Sequence, residues 1–323
     1  MEEQSKEGSC TMNKILIIDD DKELCVLIKR SVLSEDIEAD FCNTGKEGLQ
    51  KLKEKEYQLV ILDVMMPGMD GFETMKEIRK ENSLPILMFI CGGTGGGKTY
   101  FLLTIIEALL RTNADLYILD PKNADLADLG TVMGNVYHTK DDMIDCVNTF
   151  YKGMVTRSEE MKLHPNYRTG ENYAYLGLAP QFLIFDEYVA FLEMLTTKES
   201  TALLSQLKKI VMLGRQAGYF LIVACQRPDA KYFGDGIRDN FNFRVGLGRM
   251  SELGYGMLFG SDVKKHFFQK RIKGRGYCDV GTSVISEFYT PLVPKGYDFL
   301  GTIGELAERR TEKKALEQSE ALL

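Results

Sequence analysis

The stretch that decides the fold is Gly92-Gly93-Thr94-Gly95-Gly96-Gly97-Lys98-Thr99. It fits the pattern G-x-x-x-x-G-K-[ST], with an apolar run at 86–91 before it and another at 100–110 after it. A strand before the loop and a helix after it are the context that a phosphate-binding loop requires. The glycines let successive backbone N–H groups face an anion at the positive end of the following helix. We therefore predict a triphosphate site, in which Lys98 reaches the outer phosphates and Thr99 holds Mg²⁺.

Two further apolar runs end in polar residues that suit the same chemistry. Residues 182–185 are followed by Asp186 and Glu187, and residues 219–225 are followed by Gln226. Because the carboxyl ends of parallel strands meet at one edge of a sheet, we expect these residues beside the glycine loop. There Asp186 would hold the Mg²⁺ shell, Glu187 would orient and deprotonate the attacking water, and Gln226 would touch the γ-phosphate. A strand-end role for Gln226, bonding only a loop, stays open.

The composition bounds the class of protein. The chain has 323 residues, 44% hydrophobic and 27% charged, which is ordinary for a globular protein with room for two domains. No apolar run approaches the ~18 residues of a membrane span. The seven cysteines include no C-x-x-C pair, so we expect reduced thiols and a cytoplasmic location.

The net charge is unevenly distributed along the chain. Residues 1–88 hold 12 Lys/Arg and 19 Asp/Glu, which accounts for the whole net charge of −7, and the remainder is neutral. An acidic first segment joined to a neutral second one indicates two modules. Global charge therefore gives no sign of a nucleic-acid partner, and any such surface must be local.

The acidic first part reads as strands that alternate with helices. Apolar runs at 14–18 and 59–62 end in Asp19-Asp20 and in Asp63, with helical and strand patterns between them. This alternation predicts a parallel α/β sheet with both acidic groups at the carboxyl ends of strands. Three carboxylates that converge there would bind a hard divalent cation such as Mg²⁺.

The block L-D-V-M-M-P-G-M-D-G that contains Asp63 makes residues 12–88 resemble the receiver domain of response regulators. The resemblance implies a flavodoxin-like fold and a sensor histidine kinase as partner. It makes Asp63 the phospho-acceptor, with Asp19 and Asp20 holding Mg²⁺. It also stops early, because Ile90 stands where a receiver has its switch hydroxyl and the chain then enters the glycine loop. We expect a truncated, non-switching receiver in which one sheet face lacks helical cover and one strand serves both domains.

Four motifs of the second part follow one another in a specific order: G-G-T-G-G-G-K-T, L-D-P-K, L-I-F-D-E-Y and L-G-R-Q-A-G-Y-F-L-I-V-A-C-Q-R-P. They make residues 86–300 similar to the motor core of the FtsK/SpoIIIE branch of the HerA–FtsK superfamily, above all to coupling ATPases of Gram-positive conjugative elements. The resemblance implies a RecA-like fold, ATP hydrolysis with Mg²⁺, and a homo-hexameric ring that moves double-stranded DNA. Such motors usually carry membrane helices before the loop, so a membrane or secretion-channel partner stays open, as does ring assembly.

A ring ATPase also needs an arginine from a neighbouring subunit to meet transition-state charge. Arg238, Arg244 and Arg249 lie in the right region. Arg244 is favoured because similar motors carry an arginine in the matching strand. An arginine that is solvated or paired within its own chain is an equally good interpretation.

The most basic segment interleaves cations with aromatic residues and is a candidate DNA surface. Such a mixture suits backbone phosphates and base stacking. A charged solvent face over an apolar stripe explains the pattern as well, since phosphate contacts leave no sequence code. The cations are Lys264, Lys265, Lys270, Arg271, Lys273 and Arg275.

Together these patterns divide the chain into a disordered tail (1–11), a truncated receiver (12–88), an α/β ATPase core (89–300) and a charged helical tail (301–323), which we expect to be solvated from Glu305 to Leu323. The favoured function is a Mg²⁺-dependent ATPase of the DNA-translocase type. The alternative is an interaction protein whose receiver segment docks a histidine kinase while the core binds nucleotide without turnover. A sigma-54-type activator is excluded, because its Gly-Ala-Phe-Thr-Gly-Ala loop does not occur in the sequence.

Overall fold

The fold consists of two compact units, Met1–Leu84 and Pro85–Leu323. The division falls before residue 85, whereas the sequence places it after residue 88. The computed structural model describes the following residues: 13–32, 37–55, 57, 59–63, 66–69, 74, 88–93, 95–228, 240–260, 267, 272–280 and 284–320. The predicted disordered tail at 1–11 lies outside them.

The first unit contains a three-stranded parallel sheet in the order β2-β1-β3. Helix α1 contributes Cys25 to a cluster on one face of the sheet, and α2 contributes Leu52 to a cluster on the other face. Each face thus has a helix, so the expected loss of helical cover is wrong for this unit. Its elements are β1 (Asn13–Ile18), α1 (Lys22–Val32), β2 (Ile37–Cys42), α2 (Gly45–Glu54) and β3 (Leu59–Leu62).

The second unit alternates strands and helices around a larger sheet. Helix α6 ends where Gly218 adopts a left-handed conformation with φ of 79°, which glycine adopts at little cost. The elements are β4 (Met88–Gly92), α3 (Lys98–Leu110), β5 (Asp115–Leu119), a short 3-10 helix (Ala127–Thr131), β6 (Val136–Tyr137), α4 (Lys140–Leu163), β7 (Gln181–Phe185), α5 (Tyr188–Glu193), α6 (Thr197–Ala217), β8 (Tyr219–Cys225), β9 (Phe243–Leu247), α7 (Glu252–Phe259), β10 (Arg275–Asp279), β11 (Ile285–Tyr289) and α8 (Phe299–Glu320).

The eight strands lie in the order β11-β10-β9-β4-β8-β7-β5-β6. Pairing is parallel from β9 through to β6, and only β10 and β11 join antiparallel. Strand β4 pairs with β8 and β9 of this sheet, and it is absent from the three-stranded sheet. The expectation that one strand serves both domains is therefore wrong.

The central strands β4, β7 and β8 are buried on both faces, as strands of parallel sheets covered by helices are. Alternate residues of β4, β7 and β8, such as Phe89, share one face of the sheet and pack with α4, α5 and α6. The residues between them, such as Ile90, lie on the other face and pack with α3 and α8. The predicted α/β class with parallel-type sheets is confirmed in both units.

The final helix is not wholly solvated, contrary to expectation. It begins at Phe299, and Ile303 is fully buried against α3. Further along, Arg310 lies 3.4 Å from an Asp115 carboxylate oxygen, and Lys314 also pairs with Asp115. Only the part after Arg310 is exposed throughout, over residues 311–316 and at 319. Among the helices of the described part, none has the length and apolar character needed to cross a bilayer.

Candidate active site

The glycine loop joins β4 to α3 at the carboxyl edge of the large sheet. Gly97, the N-cap of α3, has φ of 100°, a conformation that side chains other than glycine rarely adopt. A Cβ atom on Gly97 would lie 3.0 Å from the Gly274 nitrogen, and one on Gly92 would lie 2.4 Å from the Leu247 carbonyl oxygen. At these two positions the loop is therefore packed too closely against its neighbours for larger residues. Thr94 lies outside the described residues.

Lys98 folds back over this loop. Its Nζ donates to the Gly92 carbonyl oxygen at 2.7 Å and lies 3.6 Å from Glu187 Oε1. The side chain is 6% exposed, so this ammonium depends on protein partners more than on water. Thr99 follows in the first turn of α3. Lys98 and Glu187 thus share one buried cluster at the sheet edge.

Asp186 stands at the end of β7 as a buried acid. Its N–H donates to the Leu119 carbonyl oxygen at 3.0 Å, which fixes it beside the end of β5. Its Oδ1 is buried and has no hydrogen-bond partner. Burial raises the pKa of Asp186 to about 6, and the neighbouring charges of Asp120 and Glu187 add to this rise while Lys98 opposes it. An unsatisfied buried carboxylate oxygen is the donor that a hard cation prefers, so Asp186 fits Mg²⁺.

Glu187 lies between two lysines. Its backbone is left-handed, with φ of 51°, where α5 turns away from the strand. Glu187 Oε1 lies 3.6 Å from Lys98 Nζ and 3.5 Å from Lys122 Nζ. Non-glycine residues in this conformation cost of order 1 kcal/mol and cluster at functional sites. The carboxylate is 12% exposed, and two ammonium groups offset the cost of its burial.

Lys122 and Asp120 belong to this cluster although the residue patterns did not single them out. Asp120 is fully buried, and its oxygens accept from the backbone N–H groups of Lys122, Ala124 and Ala127 at 2.8–3.1 Å. These bonds build the turn after β5 that carries Lys122. The sequence feature that could have indicated them is the L-D-P-K motif, which places Asp120 and Lys122 directly after the strand at residues 115–119.

Gln226 follows β8, the strand between β4 and β7. It therefore stands at the same sheet edge as the glycine loop and Asp186, as expected; its contact with phosphate stays a prediction. Just before it, the Sγ atoms of Cys225 and Cys91 are 3.3 Å apart across β8 and β4.

The candidate arginines differ in placement. Arg244 lies near the start of β9, where its Nε donates to the Phe241 carbonyl oxygen at 3.0 Å and its Nη1 to the Leu258 carbonyl oxygen at 3.3 Å. Its role in a neighbouring subunit stays a prediction, while these bonds fit the intrachain interpretation. Arg249 is exposed and lies just past β9, at the edge that carries the glycine loop. Arg238 is outside the described part.

The described end of the basic segment lies against the glycine loop. Lys273 Nζ is 4.2 Å from the centroid of the Tyr100 ring, and its Cγ would lie 3.5 Å from a Cβ on Gly97. The Arg275 guanidinium lies 4.7 Å from the centroid of the Tyr289 ring. DNA binding by Lys273 and Arg275 stays a prediction. The other four cations lie outside the described residues: Lys264, Lys265, Lys270 and Arg271.

A second acidic site lies in the first unit. Ligand oxygens of Asp19, Asp20 and Asp63 all lie within 4.8 Å of one another. The Asp63 N–H donates to the Ile18 carbonyl oxygen at 2.8 Å, which fixes the position of Asp63 beside the end of β1. Three carboxylates at this spacing fit a hard divalent cation.

Comparison with known families supports the division into two parts. Residues 15–94 match the model of the response regulator receiver domain. The FtsK domain-containing protein YdcQ of Bacillus subtilis is 59% identical over 217 residues, which cover 67% of this chain and 45% of that protein. The chain joins a receiver segment to an FtsK-like core. This confirms the recognition made from the sequence.

The receiver segment is similar to a transcriptional regulatory protein. The transcriptional regulatory protein CpxR homolog of Haemophilus influenzae is 46% identical over 82 residues, which cover 25% of this chain and 36% of that protein. This chain therefore spans less than half the length of either relative.

Solved structures support the fold of the FtsK-like core. The conjugation coupling protein TcpA of pCW3, a monomer form with ATPγS, has a TM-score of 0.56 at 20% identity, with 69% of this chain and 65% of that chain covered. EssC (ATPases 2 and 3) of Geobacillus thermodenitrificans has a TM-score of 0.53 at 16% identity, with 70% and 44% covered. The RecA-like P-loop fold predicted for the core is confirmed.

Proposed function

We propose that the FtsK-like core hydrolyses ATP in a Mg²⁺-dependent reaction and uses it to move double-stranded DNA as a homo-hexameric ring. The observation that carries the proposal is the distance of 3.6 Å between Lys98 Nζ and Glu187 Oε1. It brings the lysine of the glycine loop to the acid that follows β7, as phosphate binding and water activation at one site require. The similarity to TcpA, whose structure contains ATPγS, supports the choice of nucleotide.

The residues of the cluster divide the work of hydrolysis. Backbone N–H groups of the loop and Lys98 bind the phosphates. Thr99 and Asp186 would hold Mg²⁺, which neutralises phosphate charge when it is bound. Glu187 orients a water molecule and accepts one of its protons. The water oxygen bonds to the γ-phosphorus, and the bond between that phosphorus and the oxygen that remains on ADP breaks. Gln226, which follows the strand β8 between β4 and β7, touches the γ-phosphate.

The proposal extends to the partners predicted from sequence. A ring would bring an arginine of a neighbouring subunit to the nucleotide, and the basic segment that ends at Arg275 would contact DNA phosphates. We also propose a cytoplasmic location, which the six free cysteines of the described part support, and a membrane or secretion-channel partner.

The direct test is phosphate release by the purified chain with Mg²⁺ and ATP, with and without double-stranded DNA, alongside its mass in solution. We expect turnover that DNA stimulates and a hexameric species. Turnover that DNA leaves unchanged would contradict translocation but not hydrolysis. No turnover under any condition would contradict the whole proposal.

The acidic site of the receiver segment favours a second activity. We propose that Asp63 accepts a phosphoryl group from a sensor histidine kinase, with Asp19 and Asp20 holding Mg²⁺. Incubation with acetyl phosphate and Mg²⁺ should add one phosphoryl group as an acyl phosphate that hydroxylamine cleaves, detected as a mass increase that Asp63→Asn abolishes. A mass increase that persists in Asp63→Asn would contradict this assignment.

A further inference from the structure

Glu187 has a second cationic partner besides the lysine of the glycine loop. Lys98 Nζ and Lys122 Nζ lie 3.6 and 3.5 Å from the same oxygen, Glu187 Oε1. Lys98 also donates to the Gly92 carbonyl oxygen. When a nucleotide enters, the phosphates attract Lys98, and Lys122 is then the cation that stays beside the carboxylate.

The position of Lys122 is built into the fold. The Lys122 N–H donates to Asp120 Oδ1 at 3.1 Å, and the other Asp120 oxygen binds two further N–H groups of the same turn. Asp120 is fully buried, so the turn has a rigid base. Lys122 itself is 43% exposed and reaches Glu187 from the solvent side.

We propose that Lys122 is a positioning residue for Glu187, holding its carboxylate at the sheet edge after Lys98 has turned to the phosphates. This inference rests on the proposed ATP hydrolysis and adds a residue to it. A general base must lie within hydrogen-bond reach of the water proton that it abstracts. A carboxylate with no lateral partner rotates among several conformers, and a shift of 1 Å costs about 100-fold in rate.

We expect the Lys122–Glu187 ion pair to affect the position of the Glu187 carboxylate more than the free energy of unfolding. An ion pair with one partner 43% exposed contributes little to the free energy of unfolding, because water screens it. Substitution of Lys122 should therefore leave the fold and the binding of ATP intact. Lys140 provides a matched control, because its Nζ lies 2.8 Å from Glu199 Oε2 at the start of α4, in a pair that has no part in this cluster.

Steady-state turnover gives the first test. We expect Lys122→Met to lower kcat by about 10- to 100-fold with KM changed less than about threefold. Lys122→Arg should recover most of the rate, and Lys140→Met should match the wild type. If Lys122→Met turns over like the wild type, or raises KM alone, the inference is overturned while ATP hydrolysis stands. A wild type without turnover overturns both.

A second test needs no turnover. A carbodiimide activates a carboxylate, and an adjacent lysine amine then displaces the urea to form an amide, which mass spectrometry detects. In the full chain without nucleotide we expect two populations of molecules, one with Glu187 linked to Lys98 and one with Glu187 linked to Lys122, because one carboxylate forms one amide. With Mg²⁺ and AMP-PNP the link to Lys98 should disappear and the link to Lys122 should remain. Loss of both links, or persistence of the Lys98 link alone, would overturn the inference.

Discussion

Lys98 Nζ lies 3.6 Å from Glu187 Oε1, although the two residues belong to different strand–helix junctions, after β4 and after β7. The sheet places both junctions at its carboxyl edge, because β4, β8 and β7 run parallel. Asp186, with its unsatisfied Oδ1, lies next to Glu187. Lys98, Asp186 and Glu187, to which we assign phosphate binding, metal binding and water activation, therefore share one edge, which is the crevice where open α/β sheets bind ligands.

Replacing Lys98 should weaken nucleotide binding. Lys98→Ala removes the one side-chain cation of the loop, and charge-assisted bonds of this kind contribute about 1.5–3 kcal/mol each. We expect ATP affinity to fall at least about tenfold, with the thermal midpoint of unfolding unchanged or raised. Fluorescence titration with a labelled ATP analogue measures the affinity. An affinity like that of the wild type would contradict the placement of phosphate at the loop.

Asp186→Asn should stabilise the metal-free protein in a pH-dependent way. Burial raises the folded-state pKa of Asp186 from 3.8 to about 6, so this carboxyl favours the folded state below pH 4 and loses that contribution as the pH rises through 6. The rise corresponds to roughly 3 kcal/mol at most. Urea unfolding in EDTA should show a gain of about 1–3 kcal/mol for the variant at pH 8 that disappears near pH 4. A gain independent of pH would contradict the shifted pKa.

Two glycines in the described part should respond oppositely to alanine. A Cβ on Gly276 would lie 1.7 Å from the Gly246 carbonyl oxygen across β10 and β9, whereas one on Gly256 in α7 meets nothing within 4 Å outside its own helix. We expect Gly276→Ala to cost about 3 kcal/mol or more and Gly256→Ala to add about 0.5–1 kcal/mol. Thermal unfolding of both variants checks this. Equal effects would mean that β9 and β10 are not in close contact.

Asp115 should anchor the final helix. Burial acts to raise the pKa of this carboxyl, but hydrogen bonds from Lys314 and Gln181 outweigh it, so the pKa is lowered. The contribution of Asp115 to the free energy of unfolding is therefore present when the pH is above the ordinary pKa of an aspartate, and it is lost as the pH falls through the lowered pKa. We expect Asp115→Ala to cost about 1–2 kcal/mol at pH 7 and to increase amide exchange in α8. Unchanged exchange in α8 would contradict the anchoring role. Glu305→Ala, a change at an exposed pair of the same helix, is the control.

Elements with strong local signals could be predicted from the sequence. Strand β8 extends over Tyr219–Cys225 as predicted, and α6 ends at Gly218, because an apolar run and a terminating glycine are local features. Lys122 was missed since its role depends on the reach of a long side chain from a neighbouring strand end. The docking of α8 was missed for a similar reason: a charged helical pattern does not reveal that its cations meet Asp115. The strand at 88–92 was assigned to both domains because its sequence also continues the receiver pattern, and only pairing with β8 and β9 decides its place.

The central claim is that Glu187 takes a proton from water at a nucleotide site that Lys98 completes. The most direct measurement compares ATP affinity and turnover in Glu187→Gln, which keeps the side-chain shape and removes the base. The account predicts affinity within about threefold of the wild type and turnover lowered about 100- to 10,000-fold. Turnover like that of the wild type, or equal losses of affinity and turnover, would contradict it.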